Sequence, residues 1–235
     1  MCTLKKMLVY GAAYKVIEIL TLIPFMFAGL VLPILTRYWK EGRDRFYHAM
    51  QKSLDALSLV TFPMVVGTIM LAKPIMVFIA GSEFESSGIA LSILIIAAFA
   101  LYYNVLFGHG IIAINKQKQS LWAYGITAIV AIIGYIIFIP RFSFIGAASI
   151  TAIVETLIMF LIFFVLYRFT GFIPKLTISI KAFFASFLMG IALFFLPSMH
   201  VLLDVLLGAS IYVVALYLIG GITKDMILEI VQMKR

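Results

Sequence analysis

The chain has 235 residues, of which 64% are hydrophobic and 12% are charged, and its formal net charge is +8. Soluble domains average about 45–50% apolar and about 25% charged residues, so this composition excludes a soluble globular protein and is typical of a chain embedded in a bilayer. The Lys and Arg residues lie in short segments between apolar runs, which argues against a nucleic-acid partner. The single cysteine, Cys2, excludes an internal disulfide and a cysteine-rich metal site.

Apolar segments alternate with short polar connections along the whole chain, which predicts an all-α integral membrane protein with about seven transmembrane helices. The predicted helices are, in chain order, about 7–36, 54–81, 88–114, 120–139, 144–167, 182–196 and 204–222. The first is longer than a bilayer is thick and contains Pro24 and Pro33, so we expect it to tilt or bend. The charged tail after the seventh helix is predicted to be helical as well.

The second predicted helix, from Leu54 to Gly81, sets the orientation. Its charge-free block, between Asp55 and Lys73, has about 17 residues, near the lower limit for crossing a bilayer. A basic segment precedes this helix, and the second half of that segment could already be helical. An acidic segment with no cation follows the helix. Because Lys and Arg resist translocation, this helix runs from the cytoplasm to the outside.

This orientation places thirteen of the eighteen Lys and Arg residues inside and alternates correctly at every loop. It predicts an amino terminus outside and a carboxyl terminus in the cytoplasm, in the plasma membrane. Lys5 and Lys6 fit poorly, since they would lie outside with no helix before them. From these two residues we expect that a preceding membrane half is missing or is a separate chain.

Four ionisable side chains are candidates for a substrate or ion pathway because they lie within apolar helices, where charges usually face a bundle interior or a wet cavity. They are Lys15, Glu18, Lys73 and Glu155. Glu155, near mid-membrane, is the strongest candidate for function, and its main alternative is a structural contact between helices. Lys15 and Glu18 are three residues apart and could instead pair with each other. Lys73 could extend to the outer interface without any further role.

The role of the prolines is left open. Pro63 and Pro74, like the prolines of the first helix, could act as hinges, or could be static kinks whose freed carbonyls are satisfied by neighbouring helices. The third helix is apolar apart from Asn104 and His109.

The sequence contains no pattern that predicts an enzyme. There is no glycine-rich phosphate loop, no pair of carboxylates on an exposed loop and no Ser/His/Asp set of plausible geometry. His48, His109 and His200 lie in separate elements without a ligand spacing, so we expect no metal site and no cofactor.

Several motifs then appear in a recognisable order. They are Tyr10–Lys15 with Pro24, Leu32–Arg37, Pro63–Gly67, Ala72–Pro74, Phe78–Gly81, Asn115–Lys118, and Ile139–Ser149 followed by Glu155. Their order and spacing resemble the polysaccharide-biosynthesis flippases of the multidrug/oligosaccharidyl-lipid/polysaccharide exporter superfamily. One departure is Ser143, where the family pattern would have glycine in the turn.

The resemblance implies the carboxyl-terminal lobe and the terminal helix pair of a fourteen-helix flippase. Residues 1–170 would form five transmembrane helices of that lobe, and residues 171–235 the terminal pair with a short cytoplasmic tail. It also implies a transporter that flips or exports lipid-linked oligosaccharide for surface polysaccharide. Its partners would be membrane lipid, a polyprenyl-diphosphate-linked oligosaccharide and, where the lobes are split, a separate amino-terminal half. Lys15 would meet the diphosphate, and Glu155 would couple movement to protons or sodium.

Other functions are compatible with the same architecture. A multidrug exporter of this superfamily is one, although a cationic substrate would favour unpaired acids and here acids and lysines are balanced. A membrane subunit or remnant that does not transport is another. An integral-membrane glycan enzyme is disfavoured by the short outer loops.

Overall fold

In the computed structural model, which describes residues 2–196 and 200–221, the regular elements are all helical. The helices are α1 (Cys2–Glu41), α2 (Arg43–Ala80), α3 (Ser87–Ala113), α4 (Leu121–Thr170), α5 (Thr177–Phe195) and α6 (Val201–Leu218). Single 3₁₀ turns, Ser82–Phe84 and Gln117–Ser120, precede α3 and α4. All six helices are long and apolar enough to cross a membrane. The prediction of an all-α membrane protein is confirmed.

Helix α4 supplies two of the predicted crossings because it folds back on itself at Ser143. The backbone there is non-helical, with φ 56° and ψ −133°. The Tyr135 hydroxyl lies 3.0 Å from the Thr151 hydroxyl, although 16 residues of straight helix would separate the two by about 24 Å. Gly134 packs so closely against Ile150 that an added Cβ would lie 2.9 Å from its side chain. The six helices therefore make seven crossings, with arms of α4 at 121–142 and 144–170.

Several helices extend beyond their predicted bounds. Only Gly42, with a φ of 146°, separates α1 from α2, so the basic connection consists of two helix ends rather than a loop. Glu41 holds this corner: its carboxylate accepts from Arg37 Nε at 2.6 Å and also from Arg45. Helix α5 begins at Thr177, five residues before its predicted start. The charged tail predicted to be helical, residues 223–235, lies outside the described residues.

Helix α3 is the centre of the bundle and packs against α1, α2 and α4. Its apolar residues Leu91, Leu94, Ile95 and Leu106 are fully buried. The pair α5–α6 packs on α2 instead. Ser58 of α2 joins both groups, because its hydroxyl lies 3.0 Å from Tyr103 Oη of α3 and 2.8 Å from Ser179 Oγ of α5.

Two prolines are braced by tyrosines from neighbouring helices. Proline has no N–H, so it leaves the carbonyl four residues earlier without its usual donor. The Tyr102 hydroxyl donates to the Leu20 carbonyl, which Pro24 frees, at 2.8 Å. The Tyr212 hydroxyl donates in the same way, also at 2.8 Å, to the Leu59 carbonyl that Pro63 frees. These contacts support static kinks at both prolines.

The backbone near Pro74 differs from that near Pro24 and Pro63. Helix α2 loses helical geometry at Leu71 (φ −105°, ψ 15°), three residues before Pro74. The last residues of α2, after Leu71, therefore form a separate helical segment.

Candidate functional site

The structure distributes the four predicted site residues over three separate places. Lys15 and Glu18 lie together on α1, Lys73 lies in the carboxyl-terminal part of α2, and Glu155 lies on the second arm of α4. A single constellation of all four is therefore not formed.

Lys15 and Glu18 form the mutual ion pair that their spacing allows, with 2.8 Å between Nζ and Oε2. Their side chains are 77% and 53% exposed, on a face of α1 that no other described element covers. Glu18 is 19 residues from Arg37, or about 28 Å along the helix axis, so in a hydrocarbon core of about 30 Å the pair would lie near the boundary opposite to Arg37. An uncovered ion pair at this depth suits a wet surface rather than lipid.

Lys73 Nζ lies 3.5 Å from Glu85 Oε1, which belongs to the connection between α2 and α3. Both side chains are mostly exposed, at 65% and 61%. This arrangement fits the interpretation in which Lys73 extends to the outer interface, and an exposed pair of this kind contributes little to stability.

Glu155 lines a cavity of about 510 Å³ between α3, the two arms of α4 and Phe25 of α1. It is 11 residues after Phe144 and 13 before Arg168, about 16 and 20 Å along the helix axis, and therefore near mid-membrane. Asn104, His109 and Tyr124 line the same cavity. Lys15 is not among the lining residues, and its ion pair is with Glu18 rather than with Glu155.

Polar groups converge on this cavity. Asn104 Oδ1 is buried and accepts no hydrogen bond from the residues that the structure describes. His109 Nδ1 lies 2.8 Å from the Val105 carbonyl, a contact that fixes the ring beside its own helix. At one end, the turn before α4 contributes Lys118. A cavity with a carboxylate, an amide, an imidazole and a phenol can hold water and accept or release a cation or a proton.

The sequence interpretation did not assign Asn104, His109 and Tyr124 to a site. Asn104 and His109 carried a signal, since they are the polar exceptions in the third helix. Tyr124 carried none, because tyrosine is common at membrane interfaces. What unites the three with Glu155 is the packing of α3 against both arms of α4.

A second cavity, of about 390 Å³, is lined by apolar and aromatic side chains of α2, α3, α4 and α5. Phe62 and Phe99 meet edge to face in it, with ring centroids 5.4 Å apart, and Phe107 lies 5.2 Å from Phe163. We call this the aromatic groove. Its surface suits a hydrocarbon chain.

Among the residues that the structure describes, no three His, Cys, Asp or Glu side chains are grouped so that they could hold a metal ion.

Comparisons with known proteins place the fold. No family model and no curated protein matches the sequence. A solved structure, titled "Lipid II flippase MurJ, inward closed conformation", matches with a TM-score of 0.75 and 19% sequence identity. The match covers 95% of this chain and 50% of the other, so the chain spans about half the length of that protein. The chain thus has the fold of one half of a flippase.

Proposed function

We propose that this chain is part of a membrane transporter that flips or exports lipid-linked oligosaccharide for surface polysaccharide biosynthesis. The observation that carries the proposal is the fold, which matches half of a lipid II flippase over 95% of the chain. The order of sequence motifs supports it independently, because those motifs resemble the polysaccharide-biosynthesis flippases. The substrate would be a polyprenyl-diphosphate-linked oligosaccharide in the plasma membrane.

The exposed ion pair on α1 suits the diphosphate of such a substrate. A lysine ammonium has three N–H donors, and Glu18 accepts a hydrogen bond from one of them at 2.8 Å. The other two leave Lys15 able to donate to a phosphate oxygen as well. Glu18 meanwhile limits how tightly the dianion is held, which favours release over trapping. The position near the outer boundary of the membrane suits the release side of an outward-moving substrate.

Glu155 is suited to couple movement of the substrate to the binding of a proton or sodium ion. A carboxylate near mid-membrane is costly unless it is protonated, paired or hydrated, and its cavity offers polar neighbours but no lysine at that depth. Binding and release of a proton or sodium ion would therefore change the relative free energies of two conformations of the transporter. The aromatic groove would receive part of the lipid tail while the polar headgroup moves.

Alternating access in transporters of this kind uses two bodies that move against each other around a central site. The uncovered face of α1, with its ion pair, is the surface on which we expect a second lobe to lie. That lobe would be either another part of the same polypeptide or a separate amino-terminal half.

The experiment is a flipping assay in proteoliposomes that contain the complete two-lobe assembly and a fluorescent polyprenyl-diphosphate sugar. We expect Glu155→Gln to reduce the transport rate at least tenfold at normal abundance, whereas Glu85→Gln, an exposed acid on an outer turn, leaves it unchanged. Lys15→Gln should weaken apparent affinity for the substrate. Normal transport by the Glu155→Gln protein would remove this residue from the mechanism.

The same assay separates the proposal from its alternatives. Export of a lipophilic cation, abolished by Glu155→Gln and without flipping of the lipid-linked sugar, would identify a multidrug exporter. No movement of either compound, in an assembly whose other half is active with a different partner, would indicate a structural subunit.

A further inference from the structure

The cavity that Glu155 lines extends from mid-membrane to the connection between α3 and α4. Three residues of the turn Gln117–Ser120 line its end at this connection. The relative height of the helices follows from Gly110 of α3, which packs so closely on α4 that an added Cβ would lie 3.2 Å from Leu166 Cδ1. Glu155 is 11 residues before Leu166, about 16 Å along the helix axis, and therefore lies at the opposite end of the cavity.

Two polar side chains of α3 lie between these ends. Asn104 and His109 are 9 and 4 residues before Ala113, the last residue of α3, or about 14 and 6 Å along the axis. Asn104 Oδ1 is buried and accepts no hydrogen bond from the described residues, although a buried acceptor normally has a donor. Water that enters from the connection can supply this donor, because the cavity is polar and large enough to hold it. The cavity thus offers a hydrated path from Glu155 to one side of the membrane.

The hydrogen bond of His109 fixes which of its ring nitrogens can exchange a proton. Nδ1 lies 2.8 Å from the Val105 carbonyl, and a carbonyl oxygen only accepts, so Nδ1 keeps its hydrogen in both charge states of the ring. Nε2 is then the nitrogen that gains and loses a proton. Because imidazole is the side chain that ordinarily titrates near neutral pH, His109 can take up a proton from the cavity and release it again.

The groups that face His109 around this cavity favour a proton over a metal cation. They are the Glu155 carboxyl and the Tyr124 phenol of α4 and the Lys118 ammonium of the connection; α1 contributes Phe25, and none of the described residues of α2 lines the cavity. A sodium ion that entered from the connection would have to pass the Lys118 ammonium and would be repelled by it. An excess proton is instead handed between water molecules and the imidazole, so no separate ion has to move past the lysine.

We propose that the coupling ion is a proton, which Glu155 exchanges through cavity water and His109 with the side of the membrane on which the α3–α4 connection lies. The proposal deepens the proposed function and rests on its assignment of coupling to Glu155. On release, the O–H bond of the Glu155 carboxyl breaks, cavity water takes the proton and a carboxylate remains. His109 Nε2 binds this proton and returns it to water at the connection, so the imidazole is neutral again. Uptake is the reverse sequence.

The test uses the purified full chain in nanodiscs and follows the carboxyl absorption of Glu155 by infrared spectroscopy after a rapid change of pH. The band is assigned by its absence in Glu155→Gln. His109→Ala should slow the protonation and deprotonation of Glu155 by about tenfold or more. Imidazole added to the buffer should restore the rate, because it can enter the space left by the side chain and carry the proton. His48→Ala, which changes an exposed histidine of α2, should leave the rate unchanged.

Four results would overturn the proposal: no pH-dependent Glu155 band in the unaltered chain, an undiminished rate in His109→Ala, a slow rate that imidazole does not restore, or a band that follows sodium concentration at constant pH. If His109→Ala does not fold, His109→Gln decides, because its amide does not titrate; it should be as slow, and an undiminished rate would again overturn the proposal. The measurement needs neither a second lobe nor a substrate. Flipping without proton exchange at Glu155 would therefore remove this proposal alone, whereas proton exchange in a complete assembly that does not flip would count against the proposed function.

Discussion

Ser143 adopts a backbone conformation that glycine reaches at much lower cost than other residues do. Its φ of 56° with ψ −133° lies where a Cβ is crowded, and such residues cost about 1–3 kcal/mol. The sharp turn nevertheless has to occur there, because the two arms of α4 contact each other on both sides of it. This explains physically why glycine would be expected at this position.

Ser143→Gly should therefore stabilise the protein, by about 1 kcal/mol, since it relieves the strain and adds only backbone entropy to the unfolded chain. Thermal unfolding in detergent or nanodiscs measures the effect. The matched control is Ser149→Gly, the same change inside the second arm of α4, which should destabilise because glycine disfavours helix interiors. A lower midpoint for Ser143→Gly than for the unaltered chain would show that the turn carries no strain.

At the scale of the element, the helices that contain Pro24 and Pro63 depend on hydrogen-bond donors from neighbouring helices. Tyr102→Phe would leave the Leu20 carbonyl without its donor in a dry environment, which costs about 1–3 kcal/mol. Tyr212→Phe should have a comparable effect at Leu59. Tyr217→Phe, at a position 66% exposed, is the control and should change the unfolding free energy little.

A double-mutant cycle tests whether the proline is the reason for the tyrosine. In Pro24→Ala the new amide can donate to the Leu20 carbonyl, so Tyr102→Phe should cost much less in that background than in the unaltered chain. Unfolding free energies of the four proteins give the coupling energy. Equal losses in both backgrounds would mean that Tyr102 stabilises the bundle only by packing.

Hydropathy was sufficient to predict the helices. Within lipid an apolar segment has to satisfy its backbone hydrogen bonds internally, and a helix does so within a single segment. Hydropathy was insufficient for the helix ends. A start of α2 within the basic segment was left open, and the structure places it at Arg43. The turn at Ser143 falls between the fourth and fifth predicted helices, but the first arm of α4 continues to 142, past its predicted end at 139. Glycine was expected at that turn from the resemblance alone, not from hydropathy.

The candidate site was predictable only where it is local. The pair of Lys15 and Glu18 follows from three-residue spacing on one helix. Glu155 follows from a charge in an apolar segment. Its neighbours Asn104 and Tyr124 come from other elements, and which residues meet across a bundle depends on helix rotation and tilt, which hydropathy does not encode.

For the whole molecule, the distribution of charge predicts how the bundle sits in the membrane. Ser86, next to two glutamates, is expected outside, and Gln117, between two lysines, in the cytoplasm. Both are exposed, so single cysteines placed there in a Cys2→Ser background can react with a reagent. In intact cells an impermeant maleimide should label position 86 and leave position 117 unlabelled until the membrane is opened. Labelling of 117 alone would reverse the orientation, and equal labelling would refute a single topology.

The uncovered face of α1 leads to the last prediction, which is that this chain reconstituted without a second lobe does not flip substrate. The Lys15–Glu18 pair faces away from the bundle, and apolar residues such as Leu22, Met26 and Leu30 extend the same open side. A transport cavity needs a second wall so that access can alternate between the two sides of the membrane. The fluorescent polyprenyl-diphosphate sugar should therefore cross liposomes that contain this chain alone no faster than protein-free liposomes. Addition of a matching lobe should restore saturable movement, and Glu155→Gln in this chain should remove it again. Saturable flipping by the chain alone would mean that its own cavities, or a second copy of it, provide the whole path.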